Sequence, residues 1–316
     1  MCNRGRAVRP TLAAMNLFLY VLTVLIWGTT WIALKLQLGP VPIPWSIAYR
    51  FALAAAVLFL WLAATGRLKR PDARAMRLIA AQGLCLFCLN FICFLNASRF
   101  IPSGLVAVLF STATVWNAFN ARVFLGRPLA PRVLAGSALG MLGLAALFWP
   151  ELTRHGASPG TLAGLALGLA GTLCFSAGNM LSARLQALGH APVVTNAWGM
   201  LVGAAVLAAG CGAAGVGWAF DPSPTYVGAL LYLAIPGSVI GFTAYLTLVG
   251  RLGPERAAYS TVLFPVVALN VSAWVEGYQW TAPALLGLVL VMAGNVIVFR
   301  KPKAASAAAA LTAPAR

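Results

Sequence analysis

Residues 26–40 read IWGTTWIALKLQLGP. A segment apolar enough to sit in lipid sets two tryptophans four residues apart, fills the gap with Gly28, Thr29 and Thr30, and runs into Lys35. On a helix, Trp27, Trp31 and Lys35 share one face with Gly28 beside it, a stripe about 12 Å long at 1.5 Å per residue. Two explanations compete. Indoles anchor at membrane interfaces and lysines snorkel towards water; alternatively, small and hydroxyl residues let a helix pack closely or border a wet cavity. Trp27 lies near mid-span, where anchoring serves no purpose, which leaves close helix contact or a wet cavity for this face.

The rest of the chain is built for the same setting. Of 316 residues, 61% are hydrophobic and 9% charged, with a mean hydropathy of +0.88, whereas soluble domains carry about 25% charged residues. The net charge of +17 would suit nucleic acid only if the basic residues formed a stripe on a soluble face. They fall instead in short clusters between apolar runs, so nucleic acid is excluded as a partner.

A hydrocarbon core needs about 20 apolar residues per helix, and ten runs qualify: 16–34, 45–65, 75–96, 103–124, 132–149, 160–182, 192–214, 225–248, 257–275 and 282–299. Proline and glycine punctuate the gaps, as in Gly39-Pro40 and Asp221-Pro222-Ser223-Pro224. The runs lack period-two alternation, against a β-barrel, and helices satisfy their own backbone in lipid. The expected fold is all-α, a polytopic membrane protein of ten transmembrane helices. With the N-terminus cytoplasmic, 18 of the 22 Lys and Arg residues lie inside and four, Lys35, Arg50, Arg99 and Arg154, outside. Both termini are therefore expected in the cytoplasm of a bacterial-type inner membrane. The first run is too long for a signal peptide and lacks a cleavage site, so it is read as retained.

Ten spans divide as five plus five, and an odd number per half inserts the second half upside down, as in transporters with inverted repeats. Laying residues 98–149 over 250–301 aligns Arg99-x-x-Pro102 with Arg251-x-x-Pro254, and Ala130-Pro131-x-x-Leu134 with Ala282-Pro283-x-x-Leu286. The expected organisation is a cytoplasmic segment 1–15, five-helix repeats over 16–149 and 160–300, and a disordered cytoplasmic tail 301–316.

Trp27-Gly28-Thr29-Thr30-Trp31 with Lys35, Arg50-Phe51, Phe124-Leu125-Gly126 with Pro128-Leu129, and Ala177-Gly178-Asn179 stand in that order. Tyr232 through Pro236-Gly237-Ser238, Gly250-Arg251-Leu252-Gly253-Pro254, Ala257-Ala258-Tyr259 and Glu276-Gly277-Tyr278 follow. Together they resemble an EamA-type member of the drug/metabolite transporter superfamily over nearly all of residues 16–300. One departure is Gly126-Arg127, where the family commonly has Gly-Glu. The resemblance implies a central cavity bordered by the first helix, an alternating-access carrier that exports or exchanges a small polar metabolite such as an amino acid, and pairing of the fifth and tenth helices in a homodimer, to which Gly136, Gly140, Gly287 and Gly294 would contribute.

Asparagines are costly in lipid and must face protein or water. Asn90, Asn117 and Asn179 are read as sitting well inside their spans and join Trp27, Trp31, Lys35, Tyr245 and Tyr259 as candidate substrate-binding residues. Interhelical hydrogen bonding is the competing role for each amide. Arg50, at the outer start of the second span, either senses a carboxylate or pairs with Glu276 or Asp221. Pro236-Gly237 and Pro265 are candidate kink or gating points, since broken helices are tolerated beside cavities; packed kinks are the alternative.

What is missing narrows the function further. All five acids, Asp72, Glu151, Asp221, Glu255 and Glu276, lie at or near span ends, leaving no mid-membrane carboxylate relay; the protein is a facilitator, or coupling runs through Glu276 or Glu255. Cys85-x-x-Cys88 with Cys93 has no second pair or histidine to complete a tetrahedral site, so neither a metal nor another cofactor is expected. No nucleophile stands beside a base, against an enzyme. The partners are a small-molecule substrate and the lipid bilayer. An exchanger of phosphorylated sugars or nucleotide-sugars would need cations deep in the cavity, which the spans are read as lacking, and a non-transporting scaffold would tolerate apolar replacement of its in-span polar residues.

Overall fold

In a computed structural model of the protein, which describes residues 8–126, 131–154, 158–258 and 260–299, the chain is built of helices. Eight segments among the described residues are long and apolar enough to cross a membrane. They correspond to α1 (Val8–Leu36), α2 (Ile43–Ala64), α3 (Ala73–Ala97), α4 (Ser103–Phe124), α5 (Pro131–Arg154), α6 (Pro159–Ala187), α7 (Pro192–Ala213) and α8 (Pro224–Leu252). The remaining two, α9 (Ser260–Val275) and α10 (Ala282–Phe299), are shorter but strongly apolar. Helix α1 starts at Val8, inside the stretch expected to precede the membrane.

Local chemistry starts and stops these helices. Asp72, Ser158 and Ser223 cap α3, α6 and α8 by accepting from the backbone N–H of Ala75, Thr161 and Tyr226 at 2.7, 3.1 and 3.3 Å. Proline stands in the first turn of α2, α6, α7 and α8, where its missing N–H costs nothing. Gly126 ends α4 in the left-handed conformation at φ 65°.

Two helices are widened in mid-course into π-helical stretches, Leu84–Leu89 in α3 and Leu233–Ile240 in α8. Pro236 accounts for the second, since it cannot donate to the preceding turn; the first contains no proline. Helix α4 breaks at Thr112, whose hydroxyl turns back to the Leu109 carbonyl at 2.6 Å. Helix α9, by contrast, stays helical through Pro265.

Packing pairs distant segments: α5 lies along α10, α2 along α7, α1 against α9, and α3 against α6. The α5–α10 contact within the chain brings together small residues named above for a protomer interface. A Cβ on Gly294 would stand 2.5 Å from the Gly136 carbonyl oxygen, and one on Gly287 would stand 2.6 Å from that of Gly143. These glycines are spent within the chain, because backbones this close admit no side chain. Gly287→Val is therefore expected to force α5 and α10 apart and cost roughly 1–3 kcal/mol, read as a lowered melting temperature in detergent. An unchanged melting curve would refute the close crossing.

Candidate functional site

The tryptophan stripe of α1 faces inward. Trp27 and Trp31 are both buried at 5% exposure, and Gly28 lets α1 approach α9 so closely that a Cβ there would meet Val267 Cβ at 2.7 Å. Trp27 is ringed by Phe110, Phe175, Phe242, Tyr245 and Phe264, with centroids 4.9–6.5 Å away. Its indole N–H donates to the Gly237 carbonyl at 3.1 Å, inside the π-helical stretch of α8. The widened turn presents that carbonyl, so α1 is tied to α8 where α8 is least regular.

Beside this ring cluster lies a cavity of 30 Å³ bordered by Trp27, Thr30, Trp31, Arg50, Asn90, Phe91, Phe94, Phe110, Phe175 and Phe242, with Leu34 at its edge. It holds about one water. Three of its polar side chains have atoms that are buried and unpartnered among the described residues: Trp31 Nε1, Arg50 Nη1 and Asn90 Oδ1. Two offer N–H groups and one offers an acceptor.

Arg50, read from the sequence as either a carboxylate sensor or a partner of Glu276 or Asp221, is among the lining residues. Because α2 begins at Ile43, Arg50 sits two turns into the helix, about 10 Å along it, with 2% exposure. Its guanidinium lies 4.3 Å over the Phe91 ring and 5.0 Å over Phe51, and its Nε donates to the Ser238 hydroxyl at 2.9 Å. Ser238 in turn donates to the Leu233 carbonyl of the π stretch at 2.8 Å. No carboxylate pairs with Arg50 among the described residues, so its pairing with Glu276 or Asp221 is not found, and the expectation of a cavity without a deep cation is corrected. An ionised group held this way in a membrane is costly to desolvate, and a ligand of opposite charge would relieve that cost. The signal was present in the sequence as an arginine closely following the GPVPIP turn and immediately before an unbroken apolar run.

Asn117, Asn179 and Tyr245 lie outside the cavity lining, in a network next to Trp27. Asn179 Nδ2 donates to the Tyr245 hydroxyl at 3.0 Å and to Asn117 Oδ1 at 3.5 Å, and Asn117 Nδ2 reaches the Pro254 carbonyl at 3.3 Å. The three side chains thereby link α4, α6 and α8. Tyr259 and the side chain of Glu255 lie outside the described residues.

Lys35 ends the stripe in an ion pair. Its Nζ stands 2.5 Å from Glu276 Oε1, and the carboxylate also accepts from Ser272 Oγ at 2.6 Å and from the Ser103 backbone N–H at 3.2 Å, with the Ser103 hydroxyl bonded to it as well. Ser103 opens α4, so the carboxylate sits on a helix N-terminus, where backbone N–H groups and the dipole favour it. One acid thus joins the ends of α1, α4 and α9. Burial works to raise the Glu276 carboxyl, but Lys35, Ser103 and Ser272 outweigh it and hold the group below the ordinary carboxylate range. A lowered folded value means stabilisation that is present above the ordinary value of about 4.3 and is lost as pH falls through the folded one. The melting temperature of the wild type is accordingly expected to fall on acidification below about pH 4.3, and that of Glu276→Gln to start lower and change less. Parallel pH profiles for the two proteins would rule out this role.

Comparison with known proteins places the site in a context. The model of the EamA-like transporter family matches residues 14–149 and 162–300. A relative in Salmonella typhimurium, described as a probable amino-acid metabolite efflux pump, is 29% identical over 90% of this chain and 95% of its own length. The inner membrane transporter YedA of Escherichia coli K12 is 26% identical over 95% and 96%. A solved crystal structure superposes with a TM-score of 0.68 at 18% identity, covering 91% of this chain and 96% of its own, and so shares the fold.

Proposed function

We propose, from the premise that the chain belongs to the EamA-like transporter family, that it is a multi-pass inner-membrane carrier exporting or exchanging an amino acid. The observation that carries the reading is that Arg50, Trp31 and Asn90, each with a buried polar atom unpartnered among the described residues, line one aromatic-walled cavity. Two N–H donors, one of them charged, suit a carboxylate, and the amide oxygen suits an ammonium. Phe91, Phe94, Phe110, Phe175 and Phe242 would then take an apolar side chain. Relatives described as amino-acid metabolite efflux pumps support the same substrate class.

The cavity of 30 Å³ is too small for an amino acid, so transport requires the surrounding helices to move apart on one side and then the other. Alternating access between two inverted five-helix repeats, with both termini in the cytoplasm, supplies that motion. Several features support the two halves. Helices α1 and α6 are both 29 residues long, α2 and α7 both 22. The third element of each half carries a π stretch, and the family model matches the halves separately. Arg50, the one cation lining the cavity among the described residues, favours a carboxylate over phosphorylated sugars, whose higher charge calls for more than one.

Uptake into proteoliposomes tests the proposal, with labelled L-amino acids, their decarboxylated amines and organic anions, and with a pH gradient imposed or collapsed. Saturable flux of an amino acid, competed by unlabelled amino acid and not by the corresponding amine, supports it. Equal transport of the amine, or no amino-acid flux, overturns it.

A further inference from the structure

Away from the cavity, at the end of the molecule where α2 finishes and α3 begins, three arginines face one another. Arg74 and Arg77 lie with Leu78 on one face of the first turns of α3, and Arg184 in the last turn of α6 completes a pocket of 340 Å³. Their backbones are firmly placed. Ala75 and Ile79 of α3 and Leu185 of α6 form a buried cluster beneath the pocket, with Leu78 and Trp198 packed against it. Trp198 also donates its indole N–H to the Lys69 carbonyl at 3.2 Å, holding down the loop before α3.

The guanidiniums are exposed and have no acidic partner among the described residues. Asp72, the nearest acid in sequence, spends its carboxylate on the Ala75 N–H as the cap of α3. Three like charges around one pocket repel unless an anion lies between them, and guanidinium forks match the oxygens of a phosphate. The neighbouring Arg67, Lys69 and Arg70 mark this end as the cytoplasmic one. There the pocket stands at headgroup level of a leaflet rich in anionic lipid, the setting in which basic pockets between helix ends hold such headgroups. Leu188, 51% exposed just beyond Arg184, adds an apolar edge for the start of an acyl chain.

We propose that Arg74, Arg77 and Arg184 bind the phosphate of an anionic phospholipid, which bridges the cytoplasmic ends of α3 and α6. The site is independent of the transported solute. It is tested on the full-length protein purified in mild detergent, by native mass spectrometry and thermal melting with phosphatidylglycerol, phosphatidylcholine or inorganic phosphate. The wild type is expected to retain phosphatidylglycerol and melt higher in its presence, with retention falling at least tenfold in Arg74→Gln/Arg77→Gln/Arg184→Gln. Arg67→Gln/Lys69→Gln/Arg70→Gln removes the same charge from the adjoining loop and should retain the lipid. Should the first triple variant fail to fold, Arg77→Gln alone is expected to weaken retention measurably. Equal losses in both triple variants, or equal retention of phosphatidylcholine, would show diffuse attraction and overturn the site. Displacement of the lipid by millimolar inorganic phosphate, with the same thermal gain, would reassign the pocket to free phosphate and overturn the lipid assignment.

Discussion

Arg50→Gln is expected to lower saturable amino-acid flux about 10- to 100-fold at limiting substrate, mainly through a raised KM. The reasoning is that a charge-assisted hydrogen bond contributes about 1.5–3 kcal/mol, and each 1.4 kcal/mol is about tenfold in affinity. Arg50 has no acidic partner among the described residues, so its removal leaves no carboxylate unpaired there, and melting in detergent reads what the lost Ser238 bond costs, about 1 kcal/mol. Loss of flux in a well-folded variant therefore separates binding from folding. Arg50→Lys should not restore transport. The guanidinium holds Ser238 through Nε and still keeps Nη1 unpartnered among the described residues, on a residue that lines the cavity, a division of labour that a single ammonium at the end of a flexible stem does not reproduce. Wild-type KM in either variant would remove Arg50 from the site.

Trp27→Ala should produce the largest loss of stability of any single change considered, about 3–5 kcal/mol. The indole fills the space among five aromatic rings, and packed neighbours of this size cannot collapse into the void. Trp27→Phe should recover much of that stability while leaving flux impaired, since the ring is replaced but the N–H to the Gly237 carbonyl is not. That bond ties α1 to the π-helical stretch of α8, and π stretches commonly mark functional positions. Thermal melting in detergent alongside proteoliposome flux separates the two contributions. A Trp27→Ala protein as stable as the wild type would contradict the packing described for this residue.

Part of the candidate site is legible in the sequence. The four-residue step from Trp27 to Trp31 places both on one helical face, and both line the cavity. Asn90, picked out by the cost of an amide in mid-span, lines it too. Lys35 shares that face, yet it ends in an ion pair with Glu276; the partner lies in the other half of the chain, and no periodicity reports it. Asn117, Asn179 and Tyr245 bond to one another instead of facing the cavity. A polar residue in a span must find a partner, but whether that partner is a neighbouring helix or a ligand depends on which helices meet.

The sequence by itself determined that the chain lives in a membrane, that it is helical, and roughly where its helices run. These follow from hydropathy and backbone hydrogen bonding, which act over a single segment. Only the tertiary structure decided that Arg50 is buried against Phe91 and Ser238, and that the glycines of α5 and α10 face each other within the chain. It alone also showed that the two tryptophans close over a cavity holding about one water. Those outcomes rest on contacts between segments far apart in the chain, and in lipid such contacts are selected by close packing and polar pairing, neither of which leaves a periodic trace in one helix.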